Sequence, residues 1–271
     1  MLNGVNLFYR REGAGPAVVM VHGSWGDHRN WDAVVPALAP EHEVIRYDRR
    51  GHSQSGPAPT PGTAEQDADD LLALIDRLQL DRPIVIASSF GASETLKAGA
   101  RAPQAFSAVV IHEPPQLGLV ASHPIAGSQV VKVISHFHQN IVTLLETGRM
   151  EEGARVFMET VAFGPGAWDT MPDELKQTFI RNATTWSDEL RDPEWSVVDL
   201  GALRHFDRPA LVTSGSESPS FFGAIVDLLV PALPRARHVI FQGTGHVPHA
   251  THPDVYLPVV VPFLREVTAR A

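Results

Sequence analysis

The chain contains no cysteine. Disulfides, thiolate nucleophiles and cysteine-based metal sites are therefore excluded. It has no basic run either: 31 Asp and Glu outnumber 22 Lys and Arg, for a formal net charge of −9. A nucleic-acid ligand calls for a concentrated positive field, so that partner class is set aside. No apolar run approaches the roughly 20 residues of a membrane-spanning helix, so no membrane partner is expected. The opening residues Met1–Leu7 lack the charged and apolar stretches of a secretory leader, and a cytoplasmic location is the expectation. What is present is 271 residues, 44% hydrophobic and 20% charged. That is the composition of a globular chain, long for a generic domain but ordinary for a large α/β domain carrying an insertion.

Short apolar, β-rich runs alternate with helical stretches. The expected strands are Val5–Arg10, Ala17–His22, Glu43–Asp48, Ile84–Ser88, Ala108–His112, Ala210–Ser214 and His238–Gln242. Between them lie amphipathic segments such as Thr63–Leu80, with Leu71, Leu72, Ile75 and Leu78 at helical spacing, and the chain closes on an expected helix Tyr256–Ala269. This alternation predicts an α/β fold: a mostly parallel twisted sheet with helices on both faces.

The rhythm breaks between Pro114 and Phe206, where no strand is discernible. Helical patterns run over Gln129–Thr147, Glu151–Ala162 and Pro172–Thr185, separated by breakers such as Gly164-Pro165-Gly166. Extra core helices are one reading. A lid of residues 114–206, inserted into a core of 1–113 and 207–271, is the preferred one. The insertion starts directly after one strand and ends directly before the next, where open α/β sheets bind ligands.

The run Ala87-Ser88-Ser89-Phe90-Gly91 joins a strand to a helix through a sharp turn with a serine at its apex. Small neighbours let the chain reverse there, and the hydroxyl sits at a helix start whose N–H groups face a developing oxyanion. A serine nucleophile also needs a base, an orienting acid and oxyanion donors. The candidate base is His246, carried by the glycine-rich loop Gly243-Thr244-Gly245 after the last strand. The candidate oxyanion donors are the backbone N–H groups of Phe90 and of Ser24, in His22-Gly23-Ser24-Trp25-Gly26, with Trp25 second to Ser24. Trp25 is also a candidate substrate contact. Of the thirteen histidines, His246, His249 and His252 crowd one loop, but their spacing matches no zinc motif, and no metal or organic cofactor is expected.

The acid has two candidates. After Ala210–Ser214 the chain reads Gly215-Ser216-Glu217-Ser218, so the position that would usually carry aspartate is serine, and Glu217 lies one residue early. The alternative is Glu113, immediately after the strand Ala108–His112, with Pro114 and Pro115 stiffening the exit. A carboxylate at a strand end beside the serine turn favours Glu113.

Taken together, His22-Gly23, Asp48-Arg49-Arg50-Gly51-His52-Ser53, the Ser89 turn, and Gly245-His246 with Pro253 seven residues on resemble the α/β-hydrolase superfamily over essentially the whole chain. Within it the chain is similar to lactone hydrolases of the zearalenone-degrading type. That likeness rests on His112-Glu113, on Glu217-Ser218-Pro219-Ser220-Phe221-Phe222 and on His252-Pro253-Asp254-Val255; Ala87 and His22-Gly23 depart from it. The resemblance implies a lidded hydrolase acting on a small-molecule ester or lactone, with Ser89, His246 and Glu113 as triad and a ligand-facing tryptophan at Trp186. The same triad also serves C–C bond hydrolysis and perhydrolysis, and a slow-turnover small-molecule receptor would share the fold.

Overall fold

A computed structural model of the chain describes residues 1–57, 62–121 and 126–270. Its sheet has seven strands: β1 (Tyr9–Glu12), β2 (Ala17–Val21), β3 (Glu43–Tyr47), β4 (Ile84–Ser88), β5 (Ala108–His112), β6 (Ala210–Gly215) and β7 (Ala236–Phe241), in the order β1-β3-β2-β4-β5-β6-β7. β1 pairs with β3 antiparallel and every other neighbouring pair is parallel.

The pleat of β2 shows why the sheet is covered on both sides. Val18 and Met20 point into one apolar layer with Trp31, Leu38, Tyr256 and Phe263. Val19 and Val21 point into the other, with Leu71, Leu74, Leu96 and Val226. A strand buried on both faces must be apolar at every position, and alternate side chains serve opposite layers. Helices supply both covers, as the strand–helix alternation predicts.

Some boundaries differ from the sequence reading. The first strand begins at Tyr9 and not at Val5, because Leu2 and Val5 close a tight bridge through Asn3 and Gly4, both at positive φ. The helix expected over Thr63–Leu80 runs Ala64–Arg77, with Thr63 and Gln66 forming a reciprocal capping box at its start. The last helix starts at Pro253, three residues before Tyr256, since proline is suited to a first helical turn.

Between β5 and β6 the described residues form helices and no strand. The principal ones are Ala126–Phe137, Met150–Phe157, Asp173–Arg181 and Ala183–Arg191, and π-helical turns at His138–Val142 and Met158–Ala162 extend the first two. They share a core of their own, including Ile141, Leu145, Phe157, Trp168, Phe179 and Trp186, to which Trp25 also belongs. The single helix expected over Pro172–Thr185 is in fact two, broken at Asn182. The buried Asn182 amide donates to the carbonyls of Trp25 (2.9 Å) and Gly26 (2.8 Å), and its oxygen accepts from the Ser53 N–H (2.9 Å). The break thus ties the helical segment to two loops of the sheet domain.

The strand order reverses at β2, which lies between β3 and β4. Ligands of open α/β sheets bind beyond the strand C-termini at such a reversal. The loops leaving β2, β4 and β5 there carry Ser24, Ser89 and Glu113.

Candidate active site

Ser89 directly follows β4, whose register sets Ser88 opposite His112 of β5. The Ser89 N–H donates to the His112 carbonyl at 2.8 Å, and the helix Phe90–Arg101 begins at the next residue. Ser89 itself has φ 54° and ψ −126°. An L-residue is rarely found there, and such strain persists only where the surroundings fix it. The surroundings here are tight. A Cβ on Gly91 would lie 2.4 Å from the His22 carbonyl oxygen, and one on Gly23 would lie 2.8 Å from the Ser89 Cβ. The β2 loop and the serine turn therefore approach to a distance only glycine permits. The Ser89 hydroxyl makes no capping bond to its own helix and faces a cavity.

His246 lines the same cavity. Its Nδ1 lies 2.6 Å from Glu113 Oε2, and its ring stacks on Phe222 with centroids 4.4 Å apart. With Nδ1–H donated to the carboxylate, the Nε2 lone pair is left as the free acceptor. Glu113 is fully buried behind the imidazole and, like Ser89, has a positive φ, 42°. Its Oε1 accepts from the Gly215 N–H at 2.7 Å, and its Oε2 accepts from the Ser218 hydroxyl at 2.9 Å. Burial pushes the Glu113 carboxyl up, but His112, the His246 bond and the Gly215 N–H outweigh it and hold the group at about 2. Glu217, the other candidate, is exposed.

His112 supports this pair from beneath. Fully buried, it lies 2.9 Å from the Thr213 hydroxyl and donates Nε2–H to the His246 carbonyl at 3.0 Å. Burial lowers its pKa to about 4, so it is neutral at physiological pH. The sequence reading used His112 only as part of a motif. Ser218 and Phe222 likewise acquire roles that no local pattern announces.

Ser24 and Phe90 line the cavity beside Ser89, and Trp186 lines it from the helix Ala183–Arg191. Trp186 is enclosed by Trp25, Phe137 and Phe157, at centroid distances of 5.4, 5.5 and 5.4 Å. Trp25, considered as a substrate contact, is fully buried and backs Trp186 and Phe157 without lining the cavity. Its indole packs instead into the core of the helical segment, and its backbone has a positive φ of 68°.

Glu189, a charged residue of the cavity wall, has no precursor in the sequence reading. Glu189 accepts from the Ser24 hydroxyl at 2.5 Å and from Arg49 Nη2 at 2.9 Å. Burial pushes the Glu189 carboxyl up to about 6, against the opposing pull of Arg49 and Ser24.

Among the described residues, two buried groups each bring three potential metal ligands together: His112, Glu113 and His246, and Asp27, His28 and Asp48. In both sets the ligand atoms already serve protein hydrogen bonds. Asp27 holds Arg29 and Ser53, and Asp48 holds His28 and the Gln54 N–H.

A nucleophile-type turn between a parallel strand and a helix, a histidine after the last strand and a buried carboxylate behind it define a class. Residues 16–253 match the family model of the alpha/beta hydrolase fold, and the chain belongs to that family. Its relatives include the zearalenone hydrolase of Bionectria ochroleuca, 28% identical over 269 residues that cover 96% of this chain and 94% of that protein. Esterase YbfF of Escherichia coli is 26% identical over 256 residues, covering 92% and 93% of the two chains. The crystal structure of an alpha/beta hydrolase from Sphaerobacter thermophilus matches with a TM-score of 0.76 at 26% identity, covering 97% of each chain.

Proposed function

We propose that this chain is a serine hydrolase that cleaves a carboxylic ester or lactone through an acyl-enzyme on Ser89. The observation that carries the reading is the 2.6 Å bond between His246 Nδ1 and Glu113, made by a histidine that shares a cavity with a strained Ser89. The zearalenone hydrolase and the esterase among the relatives support an ester or lactone as the substrate class.

In this mechanism the Ser89 oxygen attacks the carbonyl carbon while His246 Nε2 takes the hydroxyl proton. Glu113, ionised far below neutral pH, keeps the proton on Nδ1 and stabilises the imidazolium that forms. The N–H groups of Phe90 and Ser24 receive the oxyanion. The tetrahedral adduct collapses as the imidazolium gives its proton to the leaving alkoxide, and an alcohol departs. Water then attacks the acyl-enzyme with His246 again as base, releasing the acid and restoring Ser89. For a lactone, alcohol and acid leave as one hydroxy acid.

Residues 114–206 act as a lid in this reading. Their helices bring Phe137, Phe157 and Trp186 over the strand ends, and the cavity is lined mainly by apolar side chains. Trp186 is the proposed substrate-facing ring and Trp25 its support.

Aryl esters of graded acyl length and lactones of graded ring size, with product analysis, test the reading. Release of alcohol and acid by the native chain, lost in Ser89→Ala, is the expected outcome. Tight binding without turnover would indicate a receptor.

A further inference from the structure

A buried ionic strut runs between the two loops that carry the proposed oxyanion donors. Glu189, 5% exposed, accepts from the Ser24 hydroxyl with Oε2 and from Arg49 with Oε1. Arg49 is fully buried, and its guanidinium also pairs with Asp67 at 3.3 Å and with Glu94. The same guanidinium lies over the Phe90 ring, 4.9 Å from its centroid. One assembly therefore touches Ser24 at one end and Phe90 at the other. Nothing in the proposed acyl transfer uses it, and burying these ionisable groups carries a desolvation cost that only close pairing offsets.

We infer that Glu189 is a positioning residue for the reaction: through the Ser24 hydroxyl it fixes the β2 loop so that the Ser24 N–H stays aimed at the oxyanion. The inference rests on the serine-hydrolase reading above. The physical reason is the tolerance of an oxyanion site. Its donors must sit within a few tenths of an ångström of the developing charge, and a glycine-flanked loop does not hold such a position unaided. Trp25 and the Asn182 bonds to the Trp25 and Gly26 carbonyls hold the far side of the loop, whereas Ser24, next to Gly23, is held through its own side chain by Glu189. The Ser24 hydroxyl is the handle, and Glu189 is the anchor, made rigid by Arg49. The anchor belongs to the helical segment Ala183–Arg191, so seating that segment and ordering the oxyanion loop become one event.

A double-mutant cycle tests the inference. Ser24→Ala and Glu189→Ala should each lower kcat about tenfold with KM nearly unchanged, because a loop serving only the transition state is lost. The double variant should be no slower than the slower single variant, since both break the same link. Glu189→Gln keeps an acceptor for the Ser24 hydroxyl and should restore most of kcat. Losses that multiply in the double variant, or that fall on KM alone, would overturn the positioning role. Ser89→Ala, run in parallel, separates the two levels. If Ser89→Ala is inactive and the cycle is multiplicative, only the role of Glu189 fails; if Ser89→Ala stays active, the hydrolase reading fails with it. Should Glu189→Ala not fold, Ser24→Thr against Ser24→Ala carries the test. Threonine keeps the hydroxyl and should keep kcat, and an equal loss in both would overturn the inference.

Discussion

The Ser218 hydroxyl donates to Glu113 Oε2 at 2.9 Å, the same oxygen that accepts from His246 at 2.6 Å. Ser218 occupies the loop position at which a hydrolase acid is usually sought. In this chain the residue there bonds the carboxylate at the end of the neighbouring strand. Under the proposed mechanism the acid therefore stands at the end of β5 and not of β6, with a serine of the loop after β6 as its partner.

The relationship sets a ranking among variants. Glu113→Gln keeps the shape but removes the charge, and should lower turnover by about two to four powers of ten. Ser218→Ala removes one of the bonds to the carboxylate and should cost about tenfold. Glu217→Gln, at an exposed side chain, should cost little. Steady-state kinetics on an activated aryl ester give the order directly, and a larger loss for Glu217→Gln than for Glu113→Gln would contradict it.

Glu113 also makes a prediction about pH and stability. Its carboxyl is held at about 2 in the fold, against 4.5 unperturbed. A carboxyl with a depressed folded pKa stabilises above its unfolded pKa, and the stabilisation is lost as pH falls through the folded value. The whole effect is roughly 3 kcal/mol. The carboxyl's own contribution therefore narrows the stability gap between the native chain and Glu113→Gln by about 1 kcal/mol between about pH 5 and about pH 3.5, below the ordinary titration range of histidine. Denaturant titrations at each pH measure it. A gap that widens between about pH 5 and about pH 3.5 would contradict the sign.

Trp186 is bound into its surroundings more than an isolated substrate contact would be. Its ring is 4% exposed and packed on three other aromatic rings. Trp186→Ala should cost about 3–5 kcal/mol of stability. Trp186→Phe keeps most of that packing but loses the indole N–H and part of the ring face. It should weaken kcat/KM for bulky aromatic esters or lactones more than for acetyl esters, with Tm little changed. Equal losses on both classes would make Trp186 a packing residue only.

Gly91 is required by contact. A methyl there would meet the His22 and Val21 carbonyl oxygens at 2.4 and 2.7 Å, both backbone atoms. Gly91→Ala should destabilise by at least about 1–3 kcal/mol and slow turnover, because relief of the clash must move the serine turn. A native-like Tm with full activity would show that the turn has more freedom than its contacts allow.

What the sequence reveals depends on how local the signal is. β4 and β5 begin and end where the apolar runs do, because both are buried on each face and bounded by polar or turn residues. The Ser89 turn, His246 and Glu113 are legible for a related reason: each lies within two loop residues or so of a strand end or a glycine-rich turn. Long-range partners leave no such trace. Ser24 and Glu189 are 165 residues apart and meet through a hydrogen bond with no periodicity to announce it. Asn182 reads as one more polar residue in a helix, although its amide satisfies two loop carbonyls and breaks that helix in two. The π-helical turns at His138–Val142 and Met158–Ala162 likewise continue the helical pattern without a break in composition.

The central claim is that Ser89 is the nucleophile. Treatment with an organophosphonate, which phosphonylates an activated serine, followed by peptide mass spectrometry tests it most directly. The account predicts one adduct on Ser89, loss of esterase activity in step with its formation, and no adduct in Ser89→Ala. Labelling of another residue, or full turnover by Ser89→Ala, would contradict it.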